Sequence, residues 1–549
     1  MASIPSKAHQ ACGPCKKHKR KCDKHLPACG LCLRTGRLCD YDESPKPPPT
    51  ATEFAALQSK LTELESRMSG SLEGSLSAPS LGSDATRLTW SPQAQSTDRF
   101  PSALFLDIDC YKWAGMRLPM PGANIPIEVV TILNEGDSII ETCATYFSTI
   151  HRWMPIVSKK RLDLGIPFGG GGPDLALLFL AMKLTITCVL SSETASEDSL
   201  YMTTKGFLAT LETTGVVSFR CLQALTLVAL YEYSHSIYPA AWMTVGACSR
   251  YADMLGLSPS GRALNHISPC TTWTEAEERR RVWWAIFILD RVISLGSRRR
   301  FSFPGPANTD PLPVNDFAWN EGDVTRAVQC PATTPFSLLE SPFARLCHAA
   351  ICISQVVECK RLSQQMHTEY ISGVITLSDN LCALSVALNE MQSPSQQVDE
   401  YLDLLGPRCL ILSAIYMLLD DHCCPEKLQD GPGYNISDAA KTPEEQLLQV
   451  NAMLIVQDIS NQLHRVTLQI IAILENDWQD QGLLGQITPF VLDALYCTMA
   501  TFRWVLSEGG NETIQSRLGD VKRCMQNLGD RWHLAQEYLA LEQVHERAS

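Results

Sequence analysis

Six cysteines near the amino terminus, Cys12, Cys15, Cys22, Cys29, Cys32 and Cys39, follow the spacing C-x2-C-x6-C-x6-C-x2-C-x6-C. That spacing leaves a short segment few ways to fold. Thiolates hold zinc in a tetrahedron, and two thiolates from one turn of chain reach the same ion at a CxxC spacing. Two such pairs are present. Two separate tetrahedra need eight ligands and six sulfurs are available, so a two-zinc arrangement requires two sulfurs shared between the ions. The stretches 12–22 and 29–39 each read C-x2-C-x6-C. The first cysteine of each half, Cys12 and Cys29, therefore holds the equivalent central place and is the candidate bridge. A disulfide framework needs an oxidising compartment, and the start MASIPSKAHQ has no apolar signal core.

Between the second and third cysteines runs KKHKRK, residues Lys16, Lys17, His18, Lys19, Arg20 and Lys21. Two zinc ions and six thiolates sum to about −2, a charge that favours cationic neighbours. The same side chains suit a phosphate backbone, where each releases condensed counterions. Residues 1–42 hold nine Lys/Arg against three Asp, a net of +6, which leaves −19 of the chain's −13 for the rest. A basic head on an acidic body is the signature of nucleic-acid binding confined to the head. The basic run also fits a nuclear import signal.

The segment ACGPCKKHKRKCDKHLPACGLCLRTGRLCDY resembles the fungal zinc binuclear cluster transcription factors in its cysteine spacing throughout. The resemblance implies two zinc ions per chain, bridged by Cys12 and Cys29, and double-stranded DNA as partner. It implies a helix after Cys15 whose amino-terminal end enters the major groove. Lys19, fourth after the second cysteine, is then the residue that donates to guanine O6 and N7 in CGG-type triplets. His18 stands where the family often carries a basic residue. Pro27 matches the proline of the loop joining the halves. Lys16, Lys17, Arg20, Lys21, Arg34 and Arg37 are expected at phosphates or beside the cluster, positioning the head without reading sequence.

With the zinc domain over residues 1–43, the Pro-rich stretch 44–53 reads as a stiff linker. In 54–68, FAALQSKLTELESRM, Phe54, Leu57, Leu61, Leu64 and Met68 recur at steps of three and four, the seam of a short coiled coil. Leu57, Leu61, Leu64 and Met68 are the candidate dimerisation residues, with Lys60 and Glu65 placed to pair between parallel chains; a lone amphipathic helix is the alternative. Residues 69–99, rich in Ser, Gly, Ala and Pro, read as a disordered linker.

Residues 100–549 show helical periods and scarce alternation, so the expected fold class is all-α, a large helical regulatory domain behind the small head. Helices are expected on both sides of Ile237–Pro239, and a nearly all-round buried one in EERRRVWWAIFILDRVISLG. YFSTIHRWMPIV, AAWMTVGACSRYADMLGL and RRRVWWAIFILDR resemble the middle homology region of the same regulators, over about residues 130–310. That resemblance implies a domain controlling activation, with coregulators or the transcription machinery as partners. Asp290 and Arg291 are expected to form a structural ion pair or helix-end contacts rather than a ligand site. FGGGGPD lacks the Lys-Ser/Thr of a phosphate loop, and Asp107 and Asp109 suggest no third metal ligand. LALLFLAMKLTITCVL is short for a membrane span and contains Lys183, so it reads as a core helix. VDEYLDLLG has the composition of an activation segment but reads as an ordinary amphipathic helix. No HExxH, GxSxG or GxGxxG is present, which argues against an enzyme. The expected function is a nuclear, sequence-specific regulator of RNA polymerase II transcription, with secondary-metabolite gene clusters as the favoured target class. The rival is a zinc-dependent corepressor that does not touch DNA.

Overall fold

Among the described residues two short helices precede a long helical assembly, and the chain divides into the compact units Met1–Ala85 and Thr86–Ser549. The computed structural model describes residues 7–8, 10–41, 100–116, 118–119, 123–135, 138–165, 172–188, 198–259, 270–297, 299–362, 367–391, 398–423, 442–476 and 482–548. The candidate dimerisation helix 54–68, with Leu57, Leu61, Leu64 and Met68, lies outside the described residues, as do both linkers and most of FGGGGPD.

In the first unit, α1 (Gly13–Lys17) and α2 (Gly30–Arg34) each hold the second cysteine of one CxxC pair, with the first cysteine at the N-cap. In the second, the principal helices are α3 (Ser138–Ser148), α4 (Pro173–Ile186), α5 (Ser199–Thr213), α6 (Phe219–Ser234), α7 (Ala240–Met254), α8 (Trp273–Val292), α9 (Pro342–Leu362), α10 (His367–Glu390), α11 (Val398–Cys423), α12 (Pro443–Asn476), α13 (Leu492–Ser507), α14 (Glu512–Gly529) and α15 (His533–Ala548). Among the described residues the only extended pairings are two isolated bridges, Lys7 with His25 and Pro311 with Pro331. The all-α expectation holds.

Helix starts follow the side chains that can satisfy free amides. Asp198 caps α5, Ser218 caps α6, Thr272 caps α8 and Asn511 caps α14. At α12, Thr442 and Glu445 cap each other's backbone N–H groups, the reciprocal box of a T-x-x-E sequence. Asp107 is used in the same way, accepting from the Cys110 amide at the start of a short helix. It is a cap and not a metal ligand.

One apolar core runs through the second unit. The helix α4 is buried from Pro173 to Thr185 except at Lys183, which reaches Ser138 Oγ at 2.8 Å, and packs on α6. The run LALLFLAMKLT, Leu175 to Thr185, is thus core, as expected. A helical break separates α6 and α7, with Ser236 left-handed and the Tyr238–Pro239 bond cis. The helix α8 is buried on nearly every side. Two helices are long and apolar enough to cross a membrane, Glu369–Glu390 and Val398–Cys423, and 89% of the second one's apolar window is buried inside the fold. VDEYLDLLG forms the first turns of that helix, with Tyr401, Leu402, Leu404 and Leu405 inward and Asp399 and Asp403 paired to Arg152. It is an amphipathic helix start. Gly406 inside α11 lets neighbouring side chains close in, since a Cβ there would stand 3.2 Å from Thr488 and 3.3 Å from Leu346.

The charges of α8 are consumed internally. Arg281, fully buried, bonds Glu277, Asp316 and the Val314 carbonyl while lying 4.2 Å over the Trp319 ring. Asp290 accepts from Ser302 and the Phe303 amide and pairs with Arg291 at 2.7 Å. The Arg291 guanidinium sits 4.0 Å from the Phe287 ring and 4.2 Å from that of Phe301. This pair is structural, since both Asp290 oxygens and the Arg291 Nε and Nη1 groups are bonded within the protein.

Candidate nucleic-acid interface

The sulfurs of Cys12, Cys15, Cys29 and Cys32 lie within 4.8 Å of one another and are buried. Individual separations are 3.6 Å for Cys12–Cys29, 3.6 Å for Cys12–Cys32, 3.7 Å for Cys15–Cys29 and 3.9 Å for Cys15–Cys32. A tetrahedron with zinc–sulfur bonds of about 2.3 Å has edges of about 3.8 Å, and the separations that Cys12 and Cys29 make with each other and with Cys32 and Cys15 fit such edges. Cys22 joins from one side, 3.8 Å from Cys12. Cys39 joins from the other, its sulfur accepting the Cys29 N–H at 3.2 Å. All six predicted ligands are thus brought together, with the outer two beside different members of the central pair.

Burial pushes the thiols of Cys12, Cys15 and Cys32 up to about 12. The Cys32 amide, pointing at the Cys29 sulfur, brings Cys29 down to about 6. Crowded sulfurs of this kind become thiolates together only when a cation neutralises them, so zinc loading releases protons.

The scaffold around the sulfurs links the halves crosswise. The Gly30 amide at the start of α2 donates to the Asp23 carboxylate at 2.9 and 3.1 Å, and those bonds hold Asp23 below the usual carboxylate range. In the mirror position the Gly13 amide donates to the Asp40 carbonyl at 2.8 Å. Tyr41 Oη donates to the His25 carbonyl at 3.0 Å and lies 3.9 Å from the Cys22 sulfur, and the Leu26–Pro27 bond in the joining loop is cis. Sequence reasoning missed Asp23, Gly30 and Tyr41. The signal was present as the repeated Cys-Asp after each third cysteine.

Lys16, Lys17, His18, Lys19, Arg20 and Lys21 are all exposed around the end of α1, and Arg34 and Arg37 around that of α2. One expectation needs correction. The helix does not follow Cys15: Pro14 at its start and the CxxC turn itself place it over Gly13–Lys17. Lys19 is therefore beyond its carboxyl end, at φ 49°.

Residues 10–48 match the fungal Zn(2)-Cys(6) binuclear cluster domain, and residues 144–400 match the fungal specific transcription factor domain. The chain is 38% identical over 186 residues to transcription factor BOA15 of Botryotinia fuckeliana, covering 33% of this chain and 98% of that protein. The chain belongs to the fungal Zn(2)-Cys(6) transcription factors. Its zinc domain takes two zinc ions through the six cysteines, and it is a DNA-binding regulator and not an enzyme. More distant members include the citrinin biosynthesis transcriptional activator mrl3 of Monascus ruber, 24% identical over 340 residues, 57% of this chain and 65% of that one. The azaphilone cluster-specific transcription factor azaR of Aspergillus niger is 24% identical over 323 residues, 56% of this chain and 62% of that one. The chain thus spans less than two thirds of the length of these two biosynthetic regulators.

Proposed function

We propose that this Zn(2)-Cys(6) protein reads CGG-type half-sites in RNA polymerase II promoters from the nucleus, with Lys19 donating to guanine edges. Cys12 and Cys29 bridge the two ions. Lys16, Lys17, His18, Arg20, Lys21, Arg34 and Arg37 hold the backbone. The observation that carries this reading is the exposure of the whole basic run around the end of α1, with Lys19 exposed among the described residues of the head. Residues 54–68 form the homodimer contact through Leu57, Leu61, Leu64 and Met68, and the helical body regulates output through coregulators. The relatives named for citrinin and azaphilone production favour a secondary-metabolite gene cluster as the target.

Selection from randomised duplexes with the zinc-loaded chain tests the reading. CGG-containing sites should be enriched, with binding that weakens steeply as salt rises. Salt-independent or undetectable DNA binding would favour the corepressor alternative.

A further inference from the structure

The two halves of the head correspond beyond their cysteines. In the first, the Lys19 amide bonds the Lys16 carbonyl and the Arg20 amide reaches back to the Cys15 carbonyl at 2.9 Å. In the second, the Arg37 amide reaches back to the Cys32 carbonyl at 3.1 Å. Both closures turn on a left-handed residue four places after the second cysteine of the half, Lys19 at φ 49° and Gly36 at φ 62°. Such a corner favours glycine, because any Cβ crowds the neighbouring carbonyl. The second half follows that preference and the first does not. The flanking positions diverge as well: Lys16 and Lys21 correspond to Leu33 and Leu38, which are 73% and 91% exposed, while Arg20 and Arg37 correspond directly.

We propose that Lys19 is kept in the left-handed corner at the expense of head stability because that corner aims the base reader. On the flank of a helix the Cα–Cβ bond tilts back toward the amino terminus. Here two backbone hydrogen bonds hold a corner beyond the helix, so the Cα–Cβ bond leaves from past the carboxyl end of α1. The second half, closed by Gly36, contributes no base reader and serves only to hold the backbone. This inference rests on Lys19 as the reader, and strained residues that persist in a fold commonly do so at functional positions.

The test uses the full-length chain carrying Lys19→Gly, Lys19→Ala or Gly36→Ala. Two quantities are read for each: the free zinc concentration at half-loading in a chelator buffer, and base preference on randomised duplexes. Because folding of a zinc head and zinc binding are coupled, removing the strain at Lys19→Gly should tighten zinc about fivefold relative to Lys19→Ala, equivalent to about 1 kcal/mol. Gly36→Ala, whose Cβ meets no atom within 4 Å, should weaken zinc by a similar factor through φ alone and leave base preference intact. Both Lys19 variants should lose preference at the guanine positions. Equal zinc retention in Lys19→Gly and Lys19→Ala, or altered base preference in Gly36→Ala, would overturn the proposal. If Lys19→Ala kept its base preference, the reader assignment would fall, while the zinc comparison would still decide the strain.

Discussion

Single side chains in this protein divide by whether their charge faces water or protein. Arg37 is exposed and sits at the corner matching Arg20, and its proposed role is a phosphate contact with no sequence content. Arg37→Ala should weaken binding to all duplexes alike and lower the slope of log affinity against log salt by about 0.9, as titration of binding against salt would show. Arg281 is the opposite case. Its guanidinium is fully buried between Glu277, Asp316 and the Trp319 ring, and removing it takes the ion pair from Asp316 and leaves Glu277 with Arg280 as its cation. Arg281→Ala should destabilise the helical body by about 3 to 5 kcal/mol in urea unfolding followed by circular dichroism, while the zinc content of the chain stays unchanged. The sequence marked Asp290 and Arg291 as a pair through their adjacency; it did not mark Arg281, whose partner Asp316 is far along the chain.

At the scale of elements, the head is two equivalent CxxC helices tied crosswise through the residue after each third cysteine. The ties differ in strictness. A Cβ on Gly30 would stand 2.6 Å from the Asp23 carboxylate, whereas one on Gly13 would stand 3.7 Å from the Asp40 carbonyl. Gly30→Ala therefore forces Asp23 off the start of α2, and the loss of that cap, worth about 1 kcal/mol, should raise the zinc concentration needed for half-loading about fivefold. Gly13→Ala should match the parent protein in the same chelator titration. In the body the elements were legible where the helical period and the caps agreed, as at Ser218 for α6 and Thr272 for α8. The helix near Cys15 was misplaced because three residues' worth of turn and a left-handed closure leave no periodic pattern to read.

Across the whole molecule, the head and the body draw their stability from different sources. Six thiolates around zinc replace an apolar core in the head, while the body has an extended one. A strong chelator should abolish DNA binding and release two zinc ions per chain, with little change in helical content by circular dichroism. Acid should act on the body as well as on the zinc thiolates. Burial holds the imidazoles of His151 and His235 down at about 3, so between pH 6.5 and 3 the unfolded chain binds protons that the folded one refuses. Their stabilisation is complete above pH 6.5 and is lost as pH falls through that window, at about 1.4 kcal/mol per pH unit for each histidine. Asp493, whose buried carboxyl is pushed up, works in the opposite sense, so the measurement is a difference: His235→Gln should flatten the slope of unfolding free energy against pH between 6 and 4 by about one proton. The sequence alone determined the metal, its ligands, the basic face and the helical class, because cysteine spacing, charge and a 3.6-residue period are local properties that survive without knowledge of the fold. Only the tertiary structure decided that Lys19 is left-handed, that Asp23 caps the opposite half, and that the charges of α8 are spent on partners such as Asp316. A backbone angle at a closure and the pairing of a buried charge depend on what distant segments bring alongside, and that information is absent from any local pattern.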